Sequence, residues 1–209
     1  MDTRTLARRA ALAGVAVAAT LALSACGSDD HSPSGRDSTT AAPTTGAATP
    51  ASPAAVGDAD VMFAQMMIPH HRQAVEMAEL AETRAADQEV KRLAAEIKAA
   101  QAPEIATMSG WLTAWGRPVP SSSADMPHMD HGMPGMMSEA DMRKLAAASG
   151  RDFDRQFLTM MVAHHEGAIT MAQAELSEGV NPQAKDLAQE IISGQQVEIE
   201  MMRKILDRQ

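Results

Sequence analysis

The sequence predicts an all-α protein, an up-down four-helix bundle built from two tandem helical hairpins. Three observations predict it. One segment recurs at a constant offset of 94 residues. Within each copy, apolar residues return at three- and four-residue steps, the period of a helical face. No stretch alternates apolar and polar residues as a half-buried strand would.

The repeat is direct. Phe63, Met66, Met67, His70, His71, Ala74, Met77 and Ala78 match Phe157, Met160, Met161, His164, His165, Ala168, Met171 and Ala172. Without a gap, Gln101, Glu104, Ile105 and Met108 match Gln195, Glu198, Ile199 and Met202. Upstream, Asp58 and Asp60 match Asp152 and Asp154. Self-similarity over some fifty residues means duplication, with one supersecondary unit per copy.

Each unit reads as two helices. In the first, Phe63, Met67, His70, Ala74, Met77 and Ala81 share a face; in the second, Ile97, Gln101, Glu104, Met108, Trp111 and Trp115 do. Asn181-Pro182 is an N-cap followed by proline at the first helical position, with Asp87 its counterpart. Gly179 suits a helix C-terminus. Ser138 to Asp141 starts a short extra helix running to Gly150. Pro69 and Pro103 fall inside predicted helices and should kink them or mark their edges. Two hairpins with short joints close into a bundle.

The N-terminus is read as an export signal. Arg4, Arg8 and Arg9 precede an apolar run from Ala10 to Leu23, too short to span a bilayer. Leu23-Ser24-Ala25-Cys26 resembles a bacterial lipoprotein signal, so Cys26, the sole cysteine, is expected to carry lipid. The expected organisation is a signal peptide over 1–25, a lipidated Cys and flexible tether over 26–57, and a bundle over 58–209. The bundle divides into repeat one (58–115), a loop (116–137) and repeat two (138–209). The tether is Ser, Thr, Ala, Pro, Gly and Asp, with too little apolar bulk to offset the entropy of ordering. The expected location is the outer face of the bacterial cell membrane.

The chain carries a formal charge of −9; removing residues 1–25 takes three Arg and one Asp with it and leaves −11. An acidic domain disfavours nucleic acid and mildly favours cations. Methionine is abundant, at 17 residues, while aromatics are 2% and Tyr is absent. Met can replace aromatic bulk in a core, so its abundance alone says little about metal.

The polar residues on core faces say more. A carboxylate and an amide on an apolar stripe are costly unless partnered. The first helix offers histidines as partners, so His70 is expected to meet Glu104, and His164 to meet Glu198. Such pairs either hold helix register or, with Met66, Met67, Met77, Met160, Met161 and Met171 nearby, gather around a metal. Thioether and imidazole together select Cu(I), and Ag(I) by the same softness. Glu ligates, or orients a His ring from behind. Between the copies, Asp125 to Met137 holds five Met and two His in 13 residues, among them His128, Met129, His131 and Met133. In a Pro- and Gly-rich loop these are expected to face solvent and to bind metal.

The doubled pattern Phe-x-x-Met-Met-x-x-His-His-x-x-Ala-x-x-Met-Ala, followed by Gln-x-x-Glu-Ile-x-x-Met, resembles the domain of unknown function 305 family over about residues 58–208. The resemblance implies a ferritin-like four-helix bundle in the cell envelope, and copper binding as in its CopM-type metallochaperones. By position it implies Met66, Met67, His70, His71, Met77, Glu104 and Met108 as candidates. In the second copy these become Met160, Met161, His164, His165, Met171, Glu198 and Met202.

The expected function is a copper-binding envelope protein that sequesters or hands on Cu(I), with no turnover. Its expected partners are the metal ion, the bilayer through Cys26, and a copper-transfer protein. A metal-free adaptor lipoprotein is the alternative. A ferritin-like di-iron protein is disfavoured, because that cage needs Glu-x-x-His twice and this chain has none. No Ser or Cys sits in a recognisable nucleophile motif.

Overall fold

The computed structural model describes residues 55–121 and 133–209. Five helices follow in order: α1 (Asp58–Arg84), α2 (Gln88–Ala114), α3 (Glu139–Ala147), α4 (Gly150–Glu178) and α5 (Pro182–Leu206). The export segment, Cys26, His128, Met129 and His131 lie outside the described residues. α1 pairs with α2, α4 with α5, and α1 lies against α4, while α2 and α5 meet only sparsely. The four long helices make the bundle that the periodicity predicts.

The caps form where the residue types allow. Asp87 accepts from the Glu89 N–H at 2.7 Å, and Asn181 from Gln183 and Ala184 at 3.0 and 3.1 Å. Ser138 accepts from the Asp141 N–H at 3.1 Å while Asp141 accepts from the Ser138 N–H at 3.2 Å, a capping box that starts α3. Helix α1 runs through Pro69 and α2 through Pro103, so neither proline marks a helix edge.

The core divides into two apolar clusters. One holds Phe63, Met67, Ile68, Met108, Leu112, Ala172 and Ile191. The other holds Met77, Ile97, Leu145, Phe153, Phe157, Met161 and Met202. Along each long helix the switch from one cluster to the other falls at the same polar level. His70 and His71 mark it on α1, Gln101 and Glu104 on α2, His164 and His165 on α4, Gln195 and Glu198 on α5. The antiparallel run of α1 against α4 means that each cluster takes residues from both copies.

Two buried carboxylates fix that arrangement. Asp60, near the start of α1, accepts from the N–H groups of Val180 and Asn181, in the α4–α5 joint, at 3.0 and 2.9 Å. Asp154, its counterpart on α4, accepts from Ala86 and Asp87, in the α1–α2 joint, at 3.1 and 3.0 Å. Each hairpin thus caps the turn of the other. Removing one carboxylate orphans two backbone donors, and an unmet buried donor costs about 1–3 kcal/mol.

The duplication is broken beside Asp60. Glu175 is 2% exposed where the first copy has Ala81. Asp60, Asp154 and Glu175 are all buried carboxylates. Burial, then the neighbouring Asp60, pushes the Glu175 carboxyl up to about 8, with Lys185 acting the other way. Burial opposes the Asp60 charge too. The N–H groups of Gly57, Asn181 and Val180 and the Glu175 carboxyl outweigh it and hold Asp60 below the ordinary aspartate range.

Asp154→Ala is expected to lower unfolding free energy by about 2–4 kcal/mol in denaturant melts, from two orphaned donors. Asp58→Ala, at a side chain 99% exposed, should change it by less than about 0.5 kcal/mol. Glu175 has a folded-state pKa above its unfolded value, so the folded state holds the extra proton. Stability is then expected to fall as pH rises from about 4.5 through about 8. Glu175→Gln should flatten that slope when denaturation midpoints at pH 5 and pH 8 are compared.

Candidate metal centre

The polar level is built from imidazole. His70, His71, His164 and His165 are all fully buried. Adjacent residues on a helix point about 100° apart, so each pair splits between two directions. His71 reaches Glu104 on α2, with Nε2 to Oε2 at 2.7 Å. His165 reaches Glu198 on α5 over the same distance. The expected pairing was one residue off: His71 and His165, not His70 and His164, meet the carboxylates. Periodicity places both histidines of a pair near the core face, and only the crossing of neighbouring helices decides which turns to which.

His70 and His164 turn to each other instead. Their ring centroids lie 3.7 Å apart across the α1–α4 contact. The His70 Nε2–H donates to the Pro134 carbonyl at 3.0 Å. Burial first, then the nearby His71, drives the His70 pKa down to about 3. Burial, followed by His70, His165 and His71, lowers His164 well below the ordinary histidine value. Both rings are therefore neutral at physiological pH.

That charge state exposes ligand atoms. The Pro134 carbonyl at Nε2 requires the proton there, so the neutral His70 ring carries its lone pair at Nδ1. The Nδ1 atoms of His70, His71 and His165 are buried with no hydrogen-bond partner, as are both ring nitrogens of His164. The amides of Gln101 and Gln195, at 1% and 4% exposure, also carry unpartnered atoms at this level. Buried polar atoms without partners are rare, and an unmet ion is one accepted cause. An imidazole held from behind by a carboxylate, with its other nitrogen free, is the usual posture of a metal-ligating histidine.

The remaining donors would be sulfur. Among the described residues no three His, Cys, Asp or Glu side chains are grouped to hold an ion. Met67 and Met161 lie one turn before His70 and His164, both fully buried, one on each side of the polar level. Met67, Met108 and Met171 share one core cluster, while Met77, Met161 and Met202 share the other. The thioethers are thus grouped across the copies rather than within each. Met66 and Met160 are only partly buried, at the margins of those clusters.

The segment after the loop corrects a further expectation. Met133 is 8% exposed rather than solvent-facing, and Met137 packs against the core. Residues 133–137 lie as a strap over the α1–α4 contact. The Gln73 side chain donates to the Met137 carbonyl at 2.9 Å and accepts from its N–H at 2.7 Å. Close approach needs two glycines. A Cβ on Gly167 would sit 2.1 Å from the Pro134 carbonyl oxygen, and one on Gly135 would sit 2.6 Å from that of Ala163. Gly167 stands where the first copy has Gln73, so one position holds the strap and its counterpart makes room for it. Neither role was legible beforehand; the mismatch of Gln73 with Gly167 in a close repeat was the available signal.

Fold and site together define a four-helix bundle with a buried, neutral imidazole pair flanked by thioethers. The chain belongs to the family described as domain of unknown function DUF305, whose sequence profile matches residues 60–206. A DUF305 protein of Streptomyces coelicolor is 38% identical, with a TM-score of 0.65 over 72% of this chain and 93% of that one. A DUF305 fragment from Deinococcus radiodurans is 32% identical, with a TM-score of 0.65 over 74% and 99%. CopM in its Cu(I)-bound form is 34% identical, with a TM-score of 0.61 over 71% and 96%. CopM has also been solved with Cu(II) and with Ag. An uncharacterized protein of Acanthamoeba polyphaga mimivirus is 44% identical over 54 residues, and the match spans 36% of that protein.

Nitrogen-detected NMR of the imidazoles is expected to show His70 as the neutral Nε2–H tautomer down to pH 5. A histidine buried neutral loses stability as pH falls below its unfolded value, here from about 6.5 towards about 3. His70→Gln should therefore reduce the acid sensitivity of the melting temperature between pH 6.5 and 4.

Proposed function

We propose that this protein binds copper as Cu(I), and Ag(I) by the same chemistry, at the cell envelope, and that it sequesters the ion or hands it on. The observation that carries the reading is the His70–His164 ring contact, where two neutral rings carry buried nitrogens without hydrogen-bond partners. Neutral imidazole with thioether on either side is a soft donor set that suits Cu(I) over hard cations. The family supports it, since CopM is a relative solved with Cu(I), Cu(II) and Ag. Glu104 and Glu198 orient His71 and His165 from behind rather than supplying a cage of carboxylates. That agrees with a bound cargo ion and gives no support to di-iron chemistry.

Anchoring is proposed through an acylated Cys26, with residues 27–57 as the tether. The Streptomyces coelicolor relative is named as a candidate secreted protein, which agrees with export. The segment with His128, Met129 and His131 is proposed to bind the same ion. Delivery would then go to a copper-transfer partner.

A second reading has its own observation. The two 2.7 Å imidazole–carboxylate bonds would hold α1 to α2 and α4 to α5 with no metal present. That is the metal-free adaptor. Melting temperature separates the two. An ion that binds only the folded state, at 100 times its Kd, adds about 2.7 kcal/mol. For a domain of this size that is about 5–10 °C. Ag(I) and reduced copper are each expected to raise melting by that much in the unaltered protein. The double variant His70→Ala/His164→Ala should lose most of the shift, whatever its starting temperature. No shift with either ion in the unaltered protein would leave the adaptor as the function.

A further inference from the structure

A cleft of about 250 Å³ opens between α1 and α4, outside the strap. Met62, Met66 and Met171 bring three thioethers to it, Glu178 stands at it, and Pro134 forms part of its wall. Met62 is 58% exposed, the most solvent-open large apolar side chain among the described residues. Pro134 presents one side to this cleft while its carbonyl holds His70 on the other. Pro134 therefore touches both the surface group of thioethers and the buried imidazole pair.

The duplication provides an internal comparison. Rotation of one copy onto the other carries Met62 to Gln156, Ala59 to Phe153, and Glu178 to Arg84. At that second position Phe153 is fully buried and stacked on Phe157, with centroids 5.8 Å apart. Leu145 of α3 is fully buried in the same cluster. The extra thioether and the acid thus belong to one half only, and Phe153 fills the place where the other half has Ala59. An exposed thioether gains little from burial, and its distinctive chemistry is soft-metal ligation.

We propose that this cleft is the port through which a soft monovalent cation, Cu(I) or Ag(I), reaches the His70–His164 pair, and that the Pro134 strap is its gate. The proposal rests on the copper reading above and adds a route to it. Among the described residues few hydrogen bonds hold the gate, beside the packing of Met133 and Met137. Two run between Gln73 and Met137, and one runs from His70 to Pro134. Lifting the strap frees His70 Nε2 and opens the imidazole pair to the cleft. Gly135 and Gly167 let it seat again without steric conflict.

The test separates rate from capacity. Cu(I) is supplied on a chromophoric chelator, and its transfer to the protein is followed by stopped-flow absorbance. Met62→Gln, which installs the residue of the closed half, is expected to slow loading at least fivefold with an unchanged end-point. Gln73→Leu, which removes both Gln73–Met137 bonds, is expected to speed loading at least threefold. Met62→Gln loading within twofold of the unaltered rate overturns the port. Gln73→Leu loading no faster than the unaltered protein overturns the gate. If the unaltered protein takes no ion from the chelator, the copper reading falls and the port with it. A normal end-point with unchanged rates removes the route alone.

Discussion

The crossed carboxylates Asp60 and Asp154 set the geometry on which everything else depends. A helical hairpin can pack on its twin in many registers, since apolar faces are tolerant of sliding. A buried carboxylate that must meet two backbone N–H groups in the other hairpin's turn is not tolerant. With both ends tied, α1 and α4 cross in one register, and that register brings His70 opposite His164 at 3.7 Å. A slip of one helical turn, about 5.4 Å, would separate the rings and orphan four donors together.

The helices were legible because their signals are local. Periodicity, Asn181-Pro182, Asp87 and the Ser138/Asp141 box all act within a few residues of themselves. The repeat offset carried the architecture. The site was legible in composition and not in wiring. Gln101, Glu104, Gln195 and Glu198 were recognisable as polar groups on core faces, and histidines as their partners. Which histidine pairs with which carboxylate depends on the rotation of α1 about its axis relative to α2, and sequence spacing leaves two solutions 100° apart. Asp60 and Asp154 were visible as a matched pair, but their acceptor roles lie 120 and 67 residues away in the chain. The strap was missed because Met133 and Met137 look like loop residues. Only the assembled core gives Met137 something to pack against.

Buried imidazoles are costly to build without purpose. Four of them, with His70 and His164 held neutral, sit in the middle of a core that apolar residues would fill more stably. The level splits one large core into two smaller ones. Such a core trades stability for a defined set of lone pairs at a defined place, as functional sites commonly do. Glu175, kept protonated beside Asp60 near the surface cleft, is a second departure of the same kind.

The crossing of the two hairpins also bears on how the chain came to be. Each hairpin carries one carboxylate that caps a foreign turn, one turn that needs such a cap, one imidazole of the facing pair, and half of each apolar cluster. A single hairpin holds every component of the contact, in self-complementary form. Two identical copies related by a twofold axis would satisfy all of these at once, the isologous logic of a homodimer. Two copies in one chain need not be identical: Gln73 differs from Gly167, Met62 from Gln156, and Ala81 from Glu175. Where such a dimer would have two equivalent faces, this bundle has a front and a back.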